Sequence, residues 1–159
     1  MSVWPIVFIA LAIVMTVGPI MLMQPSKWDR HLARLRQQAA EQGLRVRLAT
    51  YGKQENKNQS IAVYSLAATR PEDAVCWHLM KEPYAHDLHF HQHWQWSGHS
   101  PQLSDQMSLA IQACLDELPA DVVGVELTQD SIGFWWRERG QWTVDMLRSN
   151  LEKFFAVLQ

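Results

Sequence analysis

From Met1 to Ser26 the chain carries no charged side chain, and Val3 to Met23 is apolar apart from Thr16, Gly18 and two prolines. At ~1.5 Å per residue that run extends about 31 Å, the hydrocarbon thickness of a bilayer. No polar stripe divides it, as a helix lying on a protein surface would require. The pattern predicts a transmembrane anchor over residues 1–26. A cleaved leader would carry Lys or Arg before the apolar run and a small-x-small site after it, and neither is present.

After Ser26 the period changes. Ser26 and Asp29 suit a helix N-cap, and Trp28, Leu32, Leu35 and Ala39 recur at helical spacing before Gly43. This predicts a basic amphipathic helix over residues 27–43. Leu44 to Tyr51 alternates apolar and polar positions, Gly52 to Ser60 is a polar loop, and Ile61 to Ala67 is apolar and partly β-branched. The Arg70-Pro71-Glu72-Asp73 run marks a turn, and Val75 to Lys81 and Asp87 to Trp96 read as two further strands. Ser100-Pro101 supplies a cap for a helix with Met107, Ile111, Cys114 and Leu118 on one face. Val122 to Gln129 and Ile132 to Glu138 form a hairpin in which Leu127 would face Phe134 and Val125 would face Trp136. Val144, Leu147, Leu151, Phe154 and Leu158 give the last helix its apolar face.

The predicted fold class is α+β. One N-terminal transmembrane helix precedes a mostly antiparallel sheet of about six strands with helices on one face. Residues 44–159 form one soluble domain, large enough to bury a core without disulfide or metal staples.

Charge sets the orientation. Lys27, Arg30, Arg34, Arg36, Arg45 and Arg47 stand against Asp29 and Glu41 before Ala49, and acidic residues outnumber basic ones beyond it. With no cation before the apolar run, the positive-inside rule puts the N-terminus outside and the C-terminal domain in the cytoplasm. Lys27, Arg30, Arg34 and Arg36 would then meet anionic lipid at the membrane surface. The overall charge of −2 excludes the basic field of a nucleic-acid binder. Cys76 and Cys114 sit in apolar surroundings without Cys-x-x-Cys spacing, which favours two buried thiols over a disulfide.

Two runs are candidates for chemistry. In the stretch from His86 to Trp96, strand alternation would place His89, His91 and His93 on one face, where neutral imidazoles can hold zinc or copper. The same alternation also describes a solvated strand face packed on its other side. In Trp135-Trp136-Arg137, Trp136 would be core, and Trp135 would stand outward beside Arg137 as a partner-binding surface. Glu126 reads as a solvent-facing carboxylate on the hairpin. No nucleophile-elbow pattern or Gly-rich phosphate loop occurs.

The uncharged start, Gln24-Pro25-Ser26-Lys27, Leu35-Arg36, Gly43-Leu44-Arg45-Val46, residues 118–126 and residues 134–140 resemble uncharacterised single-span inner-membrane proteins of proteobacteria. About the first 40 residues also look loosely like the YajC-type accessory subunit of the bacterial Sec translocase, from which the chain departs by Pro19 and by its long mixed domain. The resemblance implies a bacterial inner-membrane protein with a cytoplasmic tail. The leading expectation is a membrane-anchored, non-catalytic accessory or scaffold protein with no cofactor, binding lipid and a membrane-protein partner. The alternative is a metal-binding module or metalloenzyme built on His89, His91 and His93.

Overall fold

The computed structural model describes residues 3–22, 26–51, 59–71 and 75–158. In chain order the elements are α1 (Trp4–Leu22), α2 (Lys27–Glu41), β1 (Arg45–Tyr51), β2 (Gln59–Ala67), β3 (Trp77–Lys81) and β4 (Trp94–Trp96). They continue with α3 (Asp105–Asp116), β5 (Val122–Leu127), β6 (Ser131–Trp136) and α4 (Val144–Val157). The chain divides into two compact units, Met1–Arg34 and Leu35–Gln159, with the division falling inside α2. Most of the expected loop after Tyr51, and residues 72 and 73 of the expected turn, lie outside the described residues.

In the first unit the cap of α2 closes as its sequence asks. The Asp29 backbone N–H donates to Ser26 Oγ at 3.1 Å, and the Ser26 N–H donates to Asp29 Oδ2 at 3.1 Å. The Ser26 hydroxyl, which donates to Asp29 Oδ2 at 2.6 Å, and then the Ser26 N–H hold the Asp29 carboxyl below its ordinary range. Lys27, Arg30 and Arg34 are exposed, as are the described side chains of α1. Among the described residues no helix is long and apolar enough to cross a membrane. The nineteen residues of α1 rise about 28 Å at ~1.5 Å each, against roughly 30 Å of hydrocarbon. Pro5, Thr16, Gly18 and Pro19 interrupt their apolar run. This overturns the anchor over residues 1–26, the single-pass inner-membrane placement, and the orientation with the N-terminus outside and the domain cytoplasmic. The juxtamembrane role of residues 27–43 loses its basis with them.

The second unit is α+β. Its six strands form one antiparallel sheet in the order β1-β2-β6-β5-β3-β4. Alternate residues face a core that includes Tyr64, Leu79, Val125, Phe134 and Trp136. The helices complete it with Leu35 and Ala39 from α2, Ile111 and Leu115 from α3, and Val144, Leu147, Leu151 and Phe154 from α4. Phe134 and Phe154 meet edge to face at 5.6 Å. Gly43, at φ +80°, ends α2 as a left-handed cap that any side chain would strain.

Local expectations shift in three places. The β5–β6 hairpin pairs Leu127 with Ile132 and Val125 with Phe134, two residues from the expected register. A slip of two keeps every side chain on its face, so the apolar side survives. The cap of α3 is Ser104, whose Oγ accepts the Met107 N–H at 3.2 Å, and not Ser100. Cys76 is exposed and Cys114 half-buried, neither in a disulfide, with burial raising the pKa of Cys114.

Candidate binding surface on the outer face of the sheet

The face of the sheet turned away from the helix-packed core is built from two rows of cross-strand neighbours. Arg47, Val63, Trp135 and Gly124 lie in register across β1, β2, β6 and β5. The adjacent row runs Arg45, Ser65, Gly133, Glu126 and His78, ending on β3. Each row holds one glycine, and the missing side chains decide how the others lie. A Cβ on Gly133 would stand 3.2 Å from Glu126 Cγ and Oε1, so the bare backbone is what lets the carboxylate lean inward. A Cβ on Gly124 would meet the Trp135 side chain at 3.1 Å and Met80 Sδ at 2.7 Å.

Glu126 is 1 % exposed, which corrects its reading as a solvent-facing residue. A carboxylate buried to that degree needs partners. Arg47 Nη2 donates to Oε1 at 2.7 Å and to Oε2 at 2.5 Å, and Trp135 Nε1 donates to Oε2 at 2.8 Å. His78 Nε2 stands 3.8 Å from Oε2. The Arg47 guanidinium also lies 5.6 Å from the centroid of the Trp135 ring, within cation–π range. Arg47 therefore crosses two strands to cover a buried anion, and the half-buried indole is fixed at both its N–H and its ring face. With its oxygens occupied in this way, Glu126 acts as an anchor for Trp135 and Arg47. The exposed cations of the patch are Arg45 and Arg47, with side chains 68 % and 52 % exposed, Asp130 stands at the rim 3.5 Å from Arg45, and the His78 imidazole is 46 % exposed beside them.

Trp135 thus stands outward as expected, but beside Arg47. Arg137 follows the last residue of β6 and is exposed. Arg36, expected at a membrane surface, is bound within the second unit. Its Nε and Nη2 donate to Glu138 Oε1 and Oε2 at 2.7 and 2.6 Å, and Tyr64 Oη donates to Glu138 Oε1 at 2.7 Å. Hydrogen bonding to Glu138 raises the Arg36 pKa. Burial, with Glu138 beside it, raises that of Tyr64 well above its ordinary value.

The histidine run does not form the strand expected of it. Pairing in β4 starts at Trp94, and His86 to His93 pass through turns, with Gln92 at φ +49°. His89 Nδ1 lies 3.1 Å from the Gln92 carbonyl, and His93 Nδ1 lies 3.2 Å from that of Glu82. A carbonyl can only accept, so each Nδ1 carries the proton. His91 Nε2 instead meets Asp116 Oδ1 at 2.8 Å, tying the turn to the end of α3. The three imidazoles therefore bind three different partners and share no strand face. Among the described residues no group of three His, Cys, Asp or Glu side chains could hold a metal ion.

No protein-family model, curated protein or solved structure matches this chain. The glycines opposite Glu126 and Trp135 were the sequence signal for this surface. A glycine two residues before Glu126 and another two before Trp135, on paired strands, mark room on one face for two large side chains.

Proposed function

We propose that the domain acts by binding another protein, and that the outer sheet face around Trp135 and Arg47 is where it does so. The observation that supports this reading is the half-buried indole clamped between a buried Glu126 and a stacked guanidinium. Tryptophan and arginine held rigidly in one place lose little side-chain entropy on binding and are the residue types that dominate interface energetics. The partner's chemistry follows from charge. The patch buries the Glu126 carboxylate and exposes the Arg45 and Arg47 guanidiniums, which suits a protein segment bearing Asp or Glu.

Site-specific photo-crosslinking in cells tests the reading. A crosslinker at Arg45 or Met80, both on this face, should give one discrete heterologous adduct. A crosslinker at Leu109, exposed on α3, should not give it. Arg45→Glu, with the crosslinker at Met80, should lower the adduct yield at least five-fold while the melting temperature stays unchanged. Equal adducts from all three positions, or a yield indifferent to the charge reversal, would overturn the proposal.

A further inference from the structure

The two edges of the sheet are built differently. At one end β4 is three residues long, and Trp94 and His91 bond each other through both backbone groups, so the chain's own turn blunts that edge. At the other end β1 runs seven residues, contains no proline, and stays in register with β2 through every pair without a bulge. A long, regular edge of this kind is a ready template for another strand.

Which backbone groups of β1 lie free follows from its neighbours. The N–H of Ala68, just past β2, donates to the Asp130 carbonyl on the β6 side, and the Ser65 hydroxyl reaches the Arg45 carbonyl of β1 at 3.4 Å. Alternation along β2 therefore turns the backbone groups of its odd-numbered residues to β1 and those of its even-numbered residues to β6. Opposite the odd residues stand Arg45, Arg47, Ala49 and Tyr51, whose N–H and C=O groups are spent on β2. Those of Val46, Leu48 and Thr50 point the other way, and among the described residues no backbone group outside the sheet bonds to them.

The side chains beside this edge define what fits it. On the helix side of the sheet Leu48 is 60 % exposed, next to the half-buried Val46. On the outer side stand Arg45 and Arg47. Arg47 gives Glu126 a single nitrogen, Nη2, and half of its side chain stays exposed. Arg45 faces Asp130 at 3.5 Å with both side chains largely in water, a pair weak enough for another carboxylate to replace. A second copy of β1 would bring two more arginines to the same face, so charge favours a different chain. We infer that β1 receives an extended segment of another protein as a seventh strand, with apolar residues beside Val46 and Leu48 and Asp or Glu beside Arg45 and Arg47. Backbone bonds to Val46, Leu48 and Thr50 hold the segment, and its alternating side chains select it. The acidic half of this pattern rests on the outer-face reading, since Arg45 and Arg47 belong to both, whereas the open edge does not.

The ¹⁵N-labelled full chain is titrated with a capped six-residue peptide alternating valine and glutamate, and separately with its valine–lysine counterpart. The expected result is saturable binding of the first peptide, slowed hydrogen exchange at the amides of Val46, Leu48 and Thr50, and at least five-fold weaker binding of the second. Leu48→Pro removes an outward N–H and no bond to β2, so it should abolish binding while the melting temperature changes little. Thr50→Pro takes its place if that variant does not fold. No saturable binding, equal binding of the two peptides, or binding indifferent to the proline overturns the inference. Protection of the same amides without peptide, in a chain that sediments as a dimer, also overturns it and gives the edge to a second copy. Crosslinking from Met80 separates the two readings. An adduct formed equally by wild type and Leu48→Pro keeps the outer face and removes the added strand, whereas peptide binding without any adduct keeps the strand and removes the face.

Discussion

Arg47 reaches across two strands to a carboxylate whose side chain is 2 % exposed, and the two partners are not equivalent. Replacing Arg47 by Leu leaves Glu126 buried with the Trp135 N–H as its close donor and His78 at 3.8 Å. Breaking a fully buried pair costs roughly 3–5 kcal/mol. Arg47 is half-exposed, so water can reach part of the vacated space and the expected loss is about 2–3 kcal/mol. Adding Glu126→Gln should recover most of it, because a neutral amide still accepts from Trp135 and no longer needs a cation. Urea unfolding of the single and double variants checks this. A loss under about 0.5 kcal/mol for Arg47→Leu would mean that solvent alone satisfies the carboxylate. None of this was legible in one strand's sequence. Glu126 alternates with Val125 and Leu127 as a solvated residue would, and only Gly133 on the neighbouring strand reveals the space it leans into.

Elements were legible where period and cap agree, and misplaced where a strong local signal competed. Ser100-Pro101 is a good start for a helix, and the Met107, Ile111, Cys114 and Leu118 face fits a helix begun at either serine. Ser104, at φ −68° and ψ 155°, takes the role and is followed at once by Asp105 in the first turn, where a carboxylate suits the helix dipole. Ser104→Ala should therefore cost about 1 kcal/mol, the usual loss of an N-cap, while Ser100→Ala stays within about 0.5 kcal/mol. Chemical denaturation of the two variants distinguishes them, and equal losses would contradict the assignment. The histidine run shows the complementary failure. Its alternation is what a strand requires, but imidazole bonds to the Gln92 and Glu82 carbonyls and to Asp116 stabilise a turn in the same segment. Alternation is necessary for a half-buried strand and does not by itself create one.

At the scale of the molecule, the order of helices and strands follows from periodicity, because each apolar face must be buried against another. Strand neighbours do not follow so directly: β6 sits between β2 and β5, which no local pattern in either strand states. That placement brings Glu138, just past β6, to Tyr64 on β2 and Arg36 on α2, and it makes the folding equilibrium sensitive to alkaline pH. The ordinary tyrosine value is 10.0, and burial with the neighbouring carboxylate raises Tyr64 well above it in the folded state. Below that ordinary value both states keep the proton and stability does not change with pH on this account. Above it the unfolded chain releases the proton while the folded chain retains it, so stability falls by ~1.4 kcal/mol for each pH unit. Lysines and the other tyrosines titrate in wild type and in Tyr64→Phe alike, so the difference between their stability curves isolates this residue. Urea midpoints measured from about pH 8 to 11 should show the wild type losing ground to Tyr64→Phe only beyond about pH 10. Parallel curves across that range would mean that Tyr64 ionises as readily folded as unfolded, and that its bond to Glu138 does not hold the proton in place.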